Sequence, residues 1–149
     1  MVDLPCAIPE TQIALDHVGG PIGFVPYPGK RGEVFAMWNG TIRELAACPN
    51  LHVKLGGGLG MRMFGFTHHL GKLPPSSEEL AAAWRPYIET CIAAFGPERA
   101  MFESNFPVDK GSCGYAAPWN AFKRIASGYS AAEKAALFGD TARKLYRLS

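Results

Sequence analysis

The chain has 149 residues, 48% of them apolar and 19% charged, with a formal net charge of +2. That length accommodates one core rather than two, and the composition excludes a disordered chain. The small, scattered positive charge excludes a nucleic-acid-binding surface or one built for acidic membranes, because no basic run exceeds Lys30-Arg31.

Taken in chain order, the first element is a short strand at residues 12–16 (QIALD), reaching His17 and stopped by Gly19-Gly20-Pro21. Val34, Phe35, Trp38, Ile42 and Leu45 then recur at three- and four-residue steps, the signature of a helix with one apolar face. A second strand, residues 51–55, is introduced by Pro49-Asn50 and stopped by Gly56-Gly57-Gly58. Ser76 and Glu79 have capping-box spacing and predict a helix through Leu80, Trp84, Tyr87, Ile88 and Cys91 to Phe95. Pro86 inside that pattern predicts either a kink or a later helix start.

The third strand spans residues 100–104, introduced by Gly96-Pro97 and stopped by Asn105-Phe106-Pro107. A helix is expected between residues 116 and 126. A second capping box, Ser130 with Glu133, precedes Ala135-Ala136-Leu137-Phe138. Gly139 should end that helix, and Asp140 should cap a last one through Leu145, Tyr146 and Leu148.

Strands alternating with helices predict a parallel sheet with right-handed crossovers. Three such strands leave two open edges, and a closed barrel needs eight strands in about 250 residues. The sequence therefore predicts an incomplete barrel whose remaining strands come from elsewhere, either a missing barrel half or another copy of the chain. The residues MVDLP at 1–5 could be a spurious start.

Cys6, Cys48, Cys91 and Cys113 are far apart and form no C-x-x-C pair, which suits neither a zinc knuckle nor a disulfide framework. Cys48 and Cys91 are expected inside helices as small packing residues, in a reducing, cytoplasmic setting. No basic, then apolar leader and no membrane-length apolar run is present.

Function in α/β folds collects at the C-terminal ends of strands. All three strands end on polar residues: Asp16-His17, Lys54 before the glycines, and Glu103-Ser104-Asn105. Alternation along a strand puts His52 and Lys54 on one face if Val53 and Leu55 take the other. The same rule puts Met101, Glu103 and Asn105 together, so Lys54 and Glu103 are expected to pair inside the barrel.

These stretches carry a likeness. LDHVGGP at 15–21, CPNLHVKLGG at 48–57, FGPERAMFESNFPVDK at 95–110 and ALFGDTARKLYRL at 136–148 resemble, in order, the C-terminal part of the amidohydrolase-related (amidohydrolase 2) family. The family comprises metal-dependent hydrolases, including lactonases, with related decarboxylases. The resemblance implies a partial (β/α)8 TIM barrel over residues 1–149, carrying strands six to eight and their helices. It further implies a hydrolase acting on a lactone or another carboxylate-bearing small molecule, inactive as a fragment. Two alternatives stand beside it: a decarboxylase, or a non-catalytic half-barrel that pairs with another chain. The family's strand-one H-x-H motif has no counterpart, since the histidines are His17, His52, His68 and His69.

By the resemblance His17 is the active-site histidine of strand six, ligating a divalent metal (zinc or manganese) or polarising a carbonyl in a metal-independent site. Asp16 would orient the ring or the loop, or else cap the turn. Asn105 stands where many relatives carry an Asp that binds metal or activates water, and an amide cannot take up that proton. Either the chemistry differs, or activity is weak, or Asp109 takes over, although Asp109 is more naturally a solvated loop residue. Arg62 could hold a substrate carboxylate or be merely exposed, with Lys54 and Asp16 as further substrate contacts. His68-His69 read as surface residues or part of a lid.

Overall fold

The computed structural model describes residues 3–23, 29–60 and 62–148, the side chains of Asp3, Arg62 and His69 excepted. Among the described residues there are three strands, β1 (Ile13–Leu15), β2 (Leu51–Gly56) and β3 (Ala100–Glu103), in one parallel sheet of order β1-β2-β3. Register places Ala14 beside His52, Lys54 beside Met101 and Gly56 beside Glu103. Residues paired in this way share a face. The two faces are therefore Val53, Leu55, Ala100 and Phe102 against the helices, and Ala14, His52, Lys54, Met101 and Glu103 on the other side.

The helix-facing side is the core. Val53, Leu55 and Ala100 are fully buried, and Phe102 stacks on Phe122 at 4.7 Å. The helices are α1 (Asp3–Ala7), α2 (Arg31–Ala46), α3 (Ser77–Phe95), α4 (Ala116–Ile125), α5 (Ala131–Ala135) and α6 (Thr141–Tyr146). In α2 the residues picked out by spacing, Val34, Trp38, Ile42 and Leu45, are the buried ones. Both capping boxes form; in the first, Ser76 Oγ accepts from Glu79 N at 3.2 Å and Glu79 Oε2 accepts from Ser76 N at 2.8 Å. Pro86 neither ends nor starts α3. Burial of Trp84, Tyr87 and Ile88 around it holds the helix together across the missing N–H.

Three local expectations are corrected. Gly139 does not end a helix: a π-helical turn at Ala136–Asp140 joins α5 to α6. Asp140 keeps helical angles and caps nothing, its carboxylate being taken by Arg143 at 2.8 Å. Leu137 is fully buried in that turn and Phe138 packs on Phe102, so side-chain packing overrides the glycine stop signal. The largest correction concerns the thiols. Cys48 lies beyond α2 and is bonded to Cys6, 42 positions away in sequence, while Cys91 and Cys113 are free and buried. Buried Asn50 explains how the two meet. Its amide reaches the carbonyls of Pro5, Ile8 and Thr11 at 2.9–3.1 Å and folds the N-terminal segment against the start of β2. Cysteine spacing alone cannot show such a tether. No helix among the described residues is long and apolar enough to cross a membrane.

Candidate functional site at the strand ends

Because the strands are parallel and in register, Asp16, Lys54 and Glu103 reach the same end of the sheet and join in one network. Lys54 Nζ lies 3.0 Å from Asp16 Oδ1 and 3.4 Å from Glu103 Oε2. Lys54 and Glu103 thus pair on one face, as alternation predicts. Burial alone would lower the Lys54 ammonium, but the Asp16 hydrogen bond and the Glu103 charge outweigh it and lift the group above the ordinary lysine range.

Glu103 also reaches across β2 to the residue after β1. Its Oε1 is 2.7 Å from His17 Nδ1 and accepts from His17 N at 3.1 Å. A carboxylate can only accept, so Nδ1 carries a proton, and in the neutral ring the lone pair is on Nε2. Nε2 has no protein partner among the described residues, and the His17 side chain is 28% exposed. His17 is therefore an imidazole oriented by Glu103, with a part-exposed side chain. Asp16 does not touch the ring; it holds Lys54.

The backbone around His17 is held against its preference. His17 and Val18 have φ of 56° and 49°, a left-handed conformation that costs roughly 1–3 kcal/mol per non-glycine residue. Packing and hydrogen bonds impose it: Val18 is fully buried, and its carbonyl accepts from Trp38 Nε1 at 2.7 Å. The glycine run opposite leaves space for the pair. A Cβ on Gly57 would stand 2.6 Å from the Glu103 carboxyl group, and one on Gly58 would stand 3.0 Å from the His17 ring. Without glycine there, Glu103 could not bridge from β3 to His17.

Asn105 also has a left-handed φ, 53°, and its amide donates to Asp109 Oδ1 at 2.9 Å. Asp109 is not the solvated loop residue its position suggests. It is 4% exposed, and its Oδ2 accepts from Gly58 N at 3.0 Å. Burial pushes its carboxyl pKa up, and the hydrogen bonds from Asn105, Gly58 and Gly60 hold it back only in part.

The remaining candidates lie apart or outside the described residues. Arg62 opens a 3-10 turn, Arg62–Phe64, but its side chain lies outside the described residues, as does that of His69. His68 is half-buried, stacked on Phe66 and edge-on to Trp84, so it is a packed ring and not a free lid residue. The loop that carries it is anchored by buried Phe64 and Phe66, and Arg31 binds the Gly65 carbonyl. His52 shares the face of Lys54 but sits towards the other end of β2. It borders a cavity of about 910 Å³ with Arg99 and Lys144. Burial, then the charges of Arg99 and Lys144, lower its pKa.

A sequence model of the amidohydrolase family matches residues 1–148. This chain belongs to the amidohydrolase family. Among its relatives is an uncharacterised protein, y4mH, of Sinorhizobium fredii. It is 40% identical over 147 residues, which is 99% of this chain and 42% of the relative. An L-fucono-1,5-lactonase of Burkholderia multivorans is 33% identical over 141 residues, 91% of this chain and 43% of that enzyme. An amidohydrolase of the same organism, crystallised with bound HEPES and with bound zinc, superimposes with TM-scores of 0.83 and 0.82 at 29% identity. The match covers 99% of this chain and 48% of that one. This amidohydrolase chain thus spans about half the length of the relatives it matches. Its three-stranded sheet and helices correspond to part of their barrel.

The zinc in that relative raises the question of whether this amidohydrolase chain can hold one. Among the described residues no three His, Cys, Asp or Glu side chains converge as metal ligands. The strand ends offer one available imidazole nitrogen, His17 Nε2. A catalytic zinc site takes three protein ligands, so the described residues do not by themselves make one.

Proposed function

We propose that this chain forms strands six to eight of a barrel hydrolase acting on a lactone or another carboxylate-bearing small molecule, the lactone being the better-supported class, with the remaining strands supplied by further polypeptide. The observation that carries the reading is the Glu103–His17 pair at the strand ends, with Nδ1 occupied and Nε2 without a protein partner among the described residues. The 33% identity to a lactonase supports the substrate class.

In this reading His17 Nε2 takes a proton from water as the water oxygen bonds to the lactone carbonyl carbon. Glu103 stabilises the imidazolium that results. When the ring C–O bond breaks, the proton passes from Nε2 to the leaving alkoxide, and the product is a hydroxy acid. Lys54 and Arg62 hold the carboxylate that ring opening releases, Asp16 keeps Lys54 in place, and Asn105 accepts a hydrogen bond from the water or from a substrate hydroxyl.

The test is acid release from a panel of sugar-acid lactones by the native protein with all the chains that copurify with it, compared with its His17→Gln variant. Hydrolysis lost by about 100-fold or more in the variant supports the reading. Carbon dioxide release from aromatic acids instead would make it a decarboxylase. Lactone hydrolysis unchanged in the variant would remove His17 from the chemistry.

A further inference from the structure

Asn105 lies two residues past β3, where the family resemblance implies a water-activating carboxylate, and an amide cannot take up that proton. Asp109 is on the next turn, with its backbone N–H donating to the Asn105 carbonyl at 3.2 Å. Its two carboxylate oxygens are both engaged, Oδ1 by the Asn105 amide and Oδ2 by Gly58 N. It is almost wholly buried. It lies between Asn105 and the glycine loop, with both oxygens already committed to protein donors.

We propose that Asp109 is a positioning residue: its buried carboxylate pins the NH2 of Asn105 inward, so that the amide oxygen faces the site as a fixed, uncharged acceptor. Two consequences follow. The first is a division of labour in the mechanism proposed above: Asn105 holds the water or hydroxyl while proton transfer falls to His17 alone. The second is an exclusion. With Asp109 in place, two ionised carboxylates at positions 105 and 109 would repel at hydrogen-bond distance, and one would have to take up a proton. Asn at 105 and Asp at 109 are therefore a matched pair, and an ionised carboxylate returns to position 105 without that cost only if position 109 becomes the amide.

The inference rests on the strand-end reading for its catalytic meaning, but the pairing is tested without activity, so the two can fail separately. The experiment compares the parent protein with N105D, D109A and the exchanged pair N105D/D109N at pH 7. Thermal unfolding is followed together with the side-chain amide protons of Asn105 by NMR. The parent should show one Asn105 amide proton shifted downfield and slow to exchange, lost in D109A. N105D should melt about 5 °C or more below the parent, and the exchanged pair should recover at least half of that loss. A purely structural Asp109, needed only for Gly58, would give no recovery on exchange. An exchanged pair as unstable as N105D, or an Asn105 amide unaltered in D109A, would overturn the proposal. If D109A does not fold, the comparison of N105D with the exchanged pair decides.

Discussion

Removing Glu103 tests the strand-end network most directly, because this one carboxylate serves His17 Nδ1, His17 N and Lys54. It is 16% exposed and its cationic partner 25%, so neither is freely compensated by water. A hydrogen bond to a charged group contributes about 1.5–3 kcal/mol, and truncation adds the penalty of an under-paired ammonium. Asp16, 58% exposed, remains to hold Lys54, which limits that penalty. Glu103→Ala should therefore destabilise the chain by about 3 kcal/mol in urea unfolding at pH 7. Glu103→Gln retains one acceptor for His17 but turns an amide NH2 towards Lys54. It should lose about half as much stability. A change below about 0.5 kcal/mol for Glu103→Ala, the range of ordinary surface substitutions, would refute the view that this carboxylate ties the three strand ends together.

Lys54 should leave its mark only at high pH. Its folded-state pKa is raised, so its contribution is complete below the ordinary lysine value of 10.5 and is lost as pH climbs past it. Lys54→Met should flatten the alkaline limb of a stability–pH profile between pH 10 and 12. His52 has the opposite sense. Its pKa is lowered, so its contribution holds above the ordinary histidine value of 6.5 and is lost as pH falls. With its buried Nδ1 lacking a hydrogen-bond partner, His52→Leu should stabilise the chain by about 1 kcal/mol, with a larger gain at pH 5 than at pH 7. The Cys6–Cys48 bond closes 42 positions of chain, for which loop entropy gives about 4 kcal/mol. Cys6→Ser should lower the urea midpoint accordingly, and added reductant should then shift it no further.

Much of the fold was legible because its signals are local. Hydrophobic spacing marks α2, and the two Ser–Glu boxes locate α3 and α5, because a helix start is decided by side chains three residues apart. Each strand is bracketed by turn residues. Where the reading failed, at Gly139 and Asp140, local stop and start signals were overruled by side chains packing around them.

The site divides along the same line. His17, Asp16, Lys54 and Asn105 could be nominated from sequence because parallel strands bring their ends together, and alternation alone joins Lys54 to Glu103. That Glu103 also holds His17 could not be read, since it depends on a carboxylate spanning two strands over a glycine loop with no side chain in the way. The one sequence trace of it is the glycine run itself. Burial of Asp109 was likewise invisible, because a loop Asp looks solvated until the chain closes over it.

By itself the sequence determined the order of strands and helices, the caps that start them and the set of polar residues at the strand ends. All of these follow from interactions within a few residues. Only the tertiary structure decided which of those polar groups touch, which cysteines meet and which carboxyl is buried. Hydrogen bonds such as His17–Glu103 act over about 3 Å between residues 86 positions apart, and nothing along the chain encodes that separation until the sheet has formed.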